Sequence, residues 1–301
     1  MGTMKLKTKI VLGFGLVLVL LVAVAMAGFI AIDSSTTGFT EYRRLALSSA
    51  RIGQMRSDLL MMRLQVKNFI QRGTQADIDA YEREFQITRE RMDTAIDAID
   101  DQERRAMIAA AEQHLTDYDD SFTRITDFQA QRDEVVNGTL DVRGPQIEQN
   151  FTEIMRTAEE DGDAVAAYRA GLGLRNLLLA RLYVMKYLDT NAAEDASRVR
   201  QEFDRLDEEL AILDAEVQDA ERRALLAEIT GWIDEYKTGF EEVVATIDNR
   251  NTEIADGVDT IGPEMAAQLE EIENEYRTEQ DILGPRLQAT NTIALIVVLA
   301  V

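Results

Sequence analysis

The N-terminal part of the chain is a long apolar segment. From Ile10 to Ile32 no residue is charged over 23 positions. A helix of this length covers the roughly 30 Å hydrocarbon core of a bilayer, so the pattern predicts a transmembrane helix over residues 10–32. A cleaved signal peptide is the alternative, because Ala25-Met26-Ala27 resembles a cleavage site, although the apolar run is longer than signal peptides usually have.

Charges beside this segment indicate its orientation. Lys5, Lys7 and Lys9 precede the segment and Asp33 follows it. Because positive residues near a membrane helix stay on the cytoplasmic side, residues 1–9 are expected to be cytoplasmic. The chain from Asp33 onward is then expected to be exported.

The C-terminal end is apolar as well. After Arg286 the residues from Leu287 to Val301 carry no charge. They are too few to cross a bilayer, so residues 286–301 are interpreted as the start of a second, truncated transmembrane helix. A cytoplasmic output part is expected to follow it in the longer protein.

Between the two apolar ends, apolar residues recur with helical spacing. In the first part they alternate steps of three and four, which is typical of a helix in a bundle. These positions are Ile52, Met55, Leu59, Met62, Val66 and Phe69. Gly73-Thr74 interrupts the pattern, a second helix is predicted from about Asp77, and a long third helix from near Gln102, after the acidic corner Asp100-Asp101.

Most of this region is present twice. The segment from about residue 63 to residue 151 recurs 118 residues later. Glu103-Arg104-Arg105-Ala106 returns as Glu221-Arg222-Arg223-Ala224, Tyr118 and Phe122 return as Tyr236 and Phe240, and Gly144-Pro145 returns as Gly262-Pro263. The exported region, residues 33–285, therefore consists of one copy over about 40–158 and a second over about 159–283.

The repeat suggests how the predicted helices are arranged. Both copies are expected to begin and end near the membrane, with two shorter helices stacked end to end going out and one long helix returning. Gly73-Thr74 and Asn191-Ala192 would then mark the boundary between two bundles. The predicted fold is all-α: six helices in two stacked four-helix bundles, built from a duplicated three-helix unit and flanked by transmembrane helices.

Each of the three prolines follows a glycine. Proline inside a helix removes one backbone hydrogen bond and crowds the carbonyl four residues earlier. Gly144-Pro145 and Gly262-Pro263 are therefore expected to kink the two return helices at matching heights in the bundle nearer the membrane. A simple correction of curvature and a functional kink are both compatible with the sequence.

Composition agrees with a helical protein and excludes one class of partner. With 29% charged and 46% hydrophobic residues but only 3 Pro and 17 Gly, the chain has few turn formers. Its net charge of −23 would repel the phosphate backbone, so no nucleic acid partner is predicted. The absence of cysteine excludes disulfides and thiolate metal sites.

Residues for catalysis are few. The chain has a single histidine, His114, and lacks a glycine-rich phosphate loop and a paired-histidine motif. No enzyme activity, no cofactor and no metal site is predicted.

Arginine on the predicted inner face is the main indication of a binding site. Arg132 and Arg250 occupy equivalent positions of the two copies and lie on the apolar seam, where a guanidinium needs an anion or a hydrogen-bond network. Forked guanidinia bind carboxylate oxygens in pairs, so a small organic acid is the predicted ligand. The predicted site, in the bundle nearer the membrane, comprises Arg56, Arg63, Arg132, Asn137, Arg175, Arg181 and Arg250.

Two alternatives to a carboxylate site remain open in the sequence. The arginines could pair with internal Asp or Glu side chains, or extend to the surface. An amine or polyamine held by the acidic surface is the ligand of opposite charge.

The overall pattern resembles a known family. Met4-Lys5-Leu6-Lys7-Thr8-Lys9-Ile10 leads into an apolar helix with Gly13-Phe14-Gly15, and the duplicated region and the second apolar end follow. This order is similar to the N-terminal half of a methyl-accepting chemotaxis protein with a helical bimodular periplasmic sensor domain. The resemblance implies a six-helix sensor in the periplasm, an inner-membrane location, a homodimer, and cytoplasmic signalling partners.

The resemblance also implies a ligand class. Members of this family bind tricarboxylic-acid-cycle intermediates in the membrane-proximal module and, in some cases, acetate distally. In this chain the distal seam is mostly apolar, and Thr88 is its clearest polar interruption. The resemblance implies that the ligand is bound by Arg56, Arg63, Arg181 and Arg250. The predicted function is a ligand-sensing domain of a chemoreceptor. The alternatives are the sensor of a histidine kinase and an interaction domain that recognises a periplasmic binding protein.

Overall fold

A computed structural model describes residues 5–99 and 101–300 of the chain. Asp100 of the predicted acidic corner, residues 1–4 of the predicted cytoplasmic segment and Val301 of the predicted second membrane helix lie outside the described residues. The helices are α1 (Leu6–Arg72), α2 (Gln75–Ala98), α3 (Gln102–Val135), α4 (Asp141–Glu160), α5 (Ala164–Thr190), α6 (Ala193–Glu216), α7 (Ala220–Thr252) and α8 (Asp259–Ala300). No β-strand occurs in the described part of the chain, so the prediction of an all-α fold is confirmed.

Two short π-helical segments join four of these helices into two longer ones. Val136–Leu140 connects α3 to α4, and Glu253–Val258 connects α7 to α8. Residues 5–99 and 101–300 thus form six continuous helices, as the sequence predicted. The two π segments occupy equivalent positions of the two copies, 118 residues apart at Leu140 and Val258.

The chain divides into two compact units. The first unit comprises the described parts of Met1–Asp119 and Thr260–Val301, and the second unit comprises Asp120–Asp259. The first unit therefore contains α1, α2, the beginning of α3 and most of α8. The second unit contains the rest of α3, then α4, α5, α6 and α7 with both π segments. Each unit is an assembly of four helices.

The hairpins of the fold differ from the sequence prediction. Gly73, with φ of 63°, ends α1 in the left-handed conformation, and α2 then returns alongside α1. The guanidinium of Arg91 on α2 is 2.6 Å from the carboxylate of Asp58 on α1, which shows that the two helices lie side by side. The prediction that they stack end to end across Gly73-Thr74 is therefore wrong.

The second copy repeats this turn. Asn191, with φ of 52°, ends α5, and α6 packs back against α5 through an ion pair of 3.0 Å between Arg169 and Glu209. Asn191-Ala192 is thus also a hairpin turn, not a boundary between bundles. A glycine or asparagine in the left-handed conformation ends a helix and redirects the chain, whereas periodicity alone reports only that the helix stops.

The Gly-Pro pairs lie inside continuous helices, but in different units. Gly144-Pro145 belongs to α4 in the second unit, and Gly262-Pro263 belongs to α8 in the first unit. The expectation that they kink one bundle at matching heights is wrong. Each pair follows a π segment within five residues. The wider turn of the π segment accommodates the loss of the backbone hydrogen bond that proline cannot form.

The cores of both units confirm the predicted seams. Ile52, Met55, Leu59, Met62, Val66 and Phe69 of α1 are each at most 3% exposed. In the second unit Tyr187 meets Phe240 with ring centres 5.8 Å apart, and Phe203 meets Tyr236 at 5.5 Å. Steps of three and four therefore located the buried face correctly.

The repeated Glu-Arg-Arg-Ala motif fixes the beginning of a long helix in each copy. Arg104 in the first turn of α3 is buried, lies 4.3 Å above the ring of Tyr276 and donates to Glu275 and Glu279. Arg222 in the first turn of α7 is buried and donates to Asp161 at 2.7 Å. Each arginine thus bonds the beginning of its helix to a neighbouring segment of the same unit.

The predicted transmembrane helix is the first part of α1. Among the described residues, α1 is the one helix long and apolar enough to cross a membrane, with a mean hydropathy of 3.0 over its apolar window. None of that window is buried against the rest of the protein. An apolar surface without protein contacts fits a lipid environment.

Candidate functional site

The predicted arginine site is divided between the two units. Arg56 and Arg63 lie on α1 in the first unit. The remaining predicted residues, Arg132, Asn137, Arg175, Arg181 and Arg250, lie in the second unit. The expectation that all of these helices share one bundle with one interior site is therefore wrong, because the α1–α2 and α5–α6 hairpins each stay within one unit.

Arg56 is paired with acidic side chains of its own unit. Its guanidinium donates to Glu273 at 2.7 Å and to Glu270 at 3.1 Å. The Glu273 side chain is only 6% exposed and also pairs with Arg277. For Arg56 the structure thus shows the pairing with internal acids that the sequence left open.

Arg63 lies against the backbone of α8. A Cβ atom at Gly262 would be 2.8 Å from Nε of Arg63 and 3.0 Å from the ring of Tyr118. A side chain at residue 262 would therefore require Arg63 to shift. Within the described residues, the guanidinium of Arg63 makes no hydrogen bond or ion pair.

Arg181 repeats this contact in the second unit. A Cβ at Gly144 would lie 2.7 Å from its Nε, and the guanidinium donates to Glu148 at 2.7 Å. Arg181 and Tyr236 line a groove of about 460 Å³ together with Asp141 and apolar side chains of α5. Burial raises the pKa of the Tyr236 hydroxyl, and the positive charge of Arg181 opposes this rise in pKa.

Two predicted residues lie outside any interior site. Asn137 is exposed on the first π segment. Arg175 is exposed on α5 and donates to the side chain of its neighbour Asn176 at 3.0 Å. The expectation that these two side chains face the interior is wrong, because Asn137 lies on the outer side of a π turn and Arg175 lies beside the seam position Asn176.

Arg132 and Arg250 are brought together in the second unit. Nη1 of Arg250 donates to the side-chain carbonyl of Gln129 at 2.8 Å, and Nη2 donates to Asn251 at 3.2 Å. Nε of Arg250 is buried and has no hydrogen-bond partner among the described residues. Both acceptors are neutral amides, so no carboxylate neutralises Arg250 directly.

The environment of Arg250 disfavours its charge. Burial lowers the pKa of the Arg250 guanidinium, and the nearby positive charge of Arg132 lowers this pKa further. The charge of Asp133 and the hydroxyl of Tyr187 act in the opposite direction. The sequence predicted that both seam arginines need a partner. In the structure this need is greater for Arg250, which is the less neutralised of the two.

Arg132 differs from Arg250 in having an acidic neighbour. It donates from Nε to the carboxylate of Asp133 at 2.8 Å. The amide of Gln129 donates to the same carboxylate at 3.3 Å and therefore connects the two arginines. We call Gln129, Arg132, Asp133, Tyr187 and Arg250 the arginine cluster.

Tyr187 forms the α5 side of the arginine cluster. Burial raises the pKa of its hydroxyl, and the charge of Asp248 adds to the rise while Arg200 and Arg250 oppose it. One turn later, the side-chain oxygen of Asn191 is buried without a hydrogen-bond partner in the described part of the chain. Val136 and Leu188, which line the groove at Arg181, lie on the same two helical stretches as Arg132 and Tyr187.

The arginine cluster is suited to binding an anion. It presents two guanidinia and one carboxylate, with a phenol and an amide as further hydrogen-bonding groups. In the described residues no group of three His, Cys, Asp or Glu side chains could hold a metal ion. Adjacent guanidinium groups can donate hydrogen bonds to the oxygens of an anion.

Sequence reasoning missed three members of the arginine cluster, Gln129, Asp133 and Tyr187. Gln129 and Asp133 are polar residues on a charged helix, and nothing in their spacing distinguishes them. One signal was present in the repeat: Asp133 corresponds to Asn251, so the residue after the seam arginine is acidic in one copy and neutral in the other.

Comparison with known proteins gives one finding about the family. A family model described as a four helix bundle sensory module for signal transduction matches residues 3–164, which is more than half of the chain. The match runs from before α1 to the first residue of α5 and so covers the first copy. No curated protein matches the chain.

Proposed function

The chain belongs to the family of four-helix-bundle sensory modules for signal transduction, of the chemotaxis-receptor type, and we propose that it senses a small organic acid outside the cytoplasm. In this proposal α1 anchors the protein in the inner membrane and the region from residue 33 to residue 285 is a periplasmic ligand-binding domain. The helical bimodular subtype fits the duplication of the sequence. Binding of the acid changes the output of a cytoplasmic signalling part.

The observation that carries this proposal is the uncompensated charge of Arg250. A partly buried guanidinium with a buried, unpartnered Nε is costly for the folded protein, and a bound carboxylate would remove that cost. A second guanidinium, Arg132, lies close enough to lower the pKa of Arg250. Two forked donors beside each other are a common way to hold carboxylate oxygens.

The net charge of the protein constrains the affinity. A chain with a net charge of −23 repels an anion at long range. Salt screens exposed charges beyond roughly 8–10 Å, whereas the partly buried arginine cluster is screened much less. Moderate salt is therefore expected to leave the affinity for the acid unchanged or to raise it.

Helix α7 gives a covalent route from the arginine cluster to the second predicted membrane helix. Arg250 lies in the last turn of α7, which continues through the second π segment into α8. A carboxylate that pulls Arg250 toward Arg132 would act on this helix one turn before its π segment. The π segment is the place where such a helix can change its geometry most easily.

The proposal is tested by titration calorimetry on the full chain in lipid nanodiscs. The probes are C2 to C6 mono- and dicarboxylates, with spermidine as the ligand of opposite charge, each at two salt concentrations. Saturable carboxylate binding that is lost in Arg250→Gln supports the proposal. Arg223→Ala is the matched control, because Arg223 is an exposed arginine on the same helix. Binding of spermidine alone, or of none of the probes, overturns it.

A second candidate function rests on the surface of α5. The exposed apolar residues of this helix are Val165, Tyr168, Leu178, Leu182 and Met185, with exposures between 44% and 69%. A row of this kind favours a protein partner, such as a periplasmic binding protein or a second copy of the chain. Tyr168→Glu, outside the groove at Arg181, is expected to abolish binding of a protein partner and to leave carboxylate titrations unchanged.

A further inference from the structure

The carboxylate of Asp133 already occupies part of the arginine cluster. It accepts from Nε of Arg132 at 2.8 Å and from the amide of Gln129 at 3.3 Å. The carbonyl of the same Gln129 accepts from Arg250 at 2.8 Å. One acidic side chain is thus shared, directly or through one amide, by both guanidinia.

The second copy shows the same arrangement without the charge. Asn251 follows Arg250 as Asp133 follows Arg132, and each arginine donates to the side chain of the residue after it. An amide therefore fits this position next to a seam arginine. Replacing Asp133 by Asn changes the charge of the arginine cluster by one unit and keeps a residue type that the fold already accepts there.

The carboxylate of Asp133 lowers the net positive charge of the arginine cluster. Arg132 and Arg250 contribute two positive charges and Asp133 contributes one negative charge, which leaves a net charge of +1. Among the described acidic residues, Asp133 raises the pKa of Arg250. Asp248 acts on Tyr187 and adds a negative charge on that side of the cluster, whereas Glu241 is paired with Arg200. A ligand with one carboxylate neutralises the charge that Arg132, Arg250 and Asp133 leave among themselves. A second carboxylate on the ligand adds a negative charge close to that of Asp133.

We propose that Asp133 is a specificity-determining residue, which makes the arginine cluster select ligands with a single carboxylate over ligands with two. This inference rests on the proposed carboxylate-binding function of the same cluster. The carboxylate of Asp133 occupies the position that the second carboxylate of a dicarboxylate ligand would need. A dicarboxylate meets like-charge repulsion from Asp133, and repulsion between groups of the same charge in one site is an efficient means of rejecting the wrong ligand.

The test compares two variants that remove the same charge from neighbouring positions. Asp133→Asn removes the carboxylate inside the arginine cluster. Glu134→Gln removes one from the next residue, which is exposed and is not a member of the arginine cluster. Acetate and lactate serve as monocarboxylate probes, and succinate and malate as dicarboxylate probes, in titrations of the full chain in nanodiscs.

The expected result is a change in the ratio of affinities. The wild-type chain and Glu134→Gln bind the monocarboxylates more tightly than the dicarboxylates, with ratios that agree within about twofold, because a solvated charge is well screened. In Asp133→Asn the ratio shifts toward dicarboxylates by tenfold or more, as expected when a close like charge is removed.

Two different failures can be distinguished. If carboxylates bind but the ratio is the same in Asp133→Asn and Glu134→Gln, the role of Asp133 is overturned while the proposed function stands. If no carboxylate binds to the wild-type chain or to either variant, the proposed function fails and the role of Asp133 fails with it. Circular dichroism and urea unfolding of both variants verify that the helical fold is retained.

Discussion

Arg63 of the first copy lies against the backbone of Gly262 of the second copy, in the space that a Cβ atom at residue 262 would occupy. The reverse pairing, Arg181 of the second copy against Gly144 of the first, occurs in the second unit. In each case an arginine of one copy thus contacts the glycine before the proline of the other copy. The repeated glycine in front of each proline lets an arginine lie close against the backbone of the return helix at this point.

The first prediction concerns these glycine contacts. Gly262→Ala places a methyl group 2.8 Å from Nε of Arg63 and 3.0 Å from the ring of Tyr118, so both side chains have to shift. The free energy of unfolding is expected to fall by about 1–3 kcal/mol. In an Arg63→Ala background the same glycine substitution costs less, because one of the two clashes is gone. Urea unfolding of the four chains in a double-mutant cycle measures this coupling.

Gly231 is the matched control for the glycine substitution. No heavy atom lies within 4 Å of a Cβ built at this position in α7. Alanine is a better helix former than glycine, so Gly231→Ala is expected to raise stability by up to about 1 kcal/mol. Equal effects of Gly231→Ala and Gly262→Ala would contradict the interpretation of Gly262 as a contact site for Arg63.

The second prediction distinguishes the two arginines of the Glu-Arg-Arg-Ala motif. Arg222→Ala removes a buried guanidinium bonded to Asp161 and is expected to destabilise the fold by about 2 kcal/mol. Arg223→Ala, at the next position, changes an exposed side chain and is expected to stay within about 0.5 kcal/mol of the wild type. Urea unfolding followed by circular dichroism gives the midpoints of the two variants. A lower midpoint for Arg223→Ala than for Arg222→Ala would refute the prediction.

The third prediction concerns acid stability of the α1–α2 turn. Hydrogen bonds from Arg72 and Thr74 lower the pKa of Asp77 to about 2, below its value of 3.8 in the absence of such contacts. A lowered folded-state pKa stabilises the protein above the unfolded pKa, and this contribution is lost as the pH falls from about 4 to about 2. Asp77→Asn is therefore expected to be less stable than the wild type at pH 7, and the difference should shrink below pH 4.

Asp79 provides the comparison for Asp77. It lies in the same helix beginning but is exposed and accepts a hydrogen bond from Gln75 alone among the described residues. Asp79→Asn removes a carboxylate from the same helix beginning without removing an arginine contact, so it is the matched control for Asp77→Asn. Thermal unfolding at a series of pH values tests both variants, and parallel curves for the two would argue against a role of the Arg72 contact.

The fourth prediction is that the arginine cluster lowers the stability of the protein without ligand. The folded state lowers the pKa of Arg250, so the charged guanidinium is less favourable in the fold than in the unfolded chain. Arg250→Gln is expected to leave stability unchanged or raise it by about 1 kcal/mol, since replacing a poorly compensated buried charge is often neutral or favourable. A fall of similar size to that in Arg222→Ala would show that Arg250 is a structural residue.

Much of the fold could be read from the order of residues. Steps of three and four located the buried face of α1, and the 118-residue repeat located the equivalent helices of the second copy. The direction of the chain after Gly73 could not be read, because a break in periodicity is the same for a hairpin and for two stacked helices. The left-handed conformations of Gly73 and Asn191 decide it, and they depend on what each helix can pack against.

The candidate site was predictable in part. The repeat singled out Arg132 and Arg250, and the structure brings these two together in the second unit. Arg56 was predicted with equal reason, yet it pairs with Glu273, which is far away in the sequence. Gln129 and Asp133 could not be chosen in advance, because their importance comes from two helices that meet only in the folded unit.

The sequence alone determines an all-α chain with an apolar N-terminal helix, a duplicated helical region and a pair of equivalent seam arginines. These features are local or periodic, and hydrophobic spacing and helix propensity specify them residue by residue. Only the tertiary structure decides which helices share a unit, which arginines receive a carboxylate and which glycines receive an arginine. Such contacts join positions that are far apart in the chain, such as Arg181 with Gly144 and Arg56 with Glu273. Their energies depend on burial and on neighbouring charges that exist only after the helices have packed.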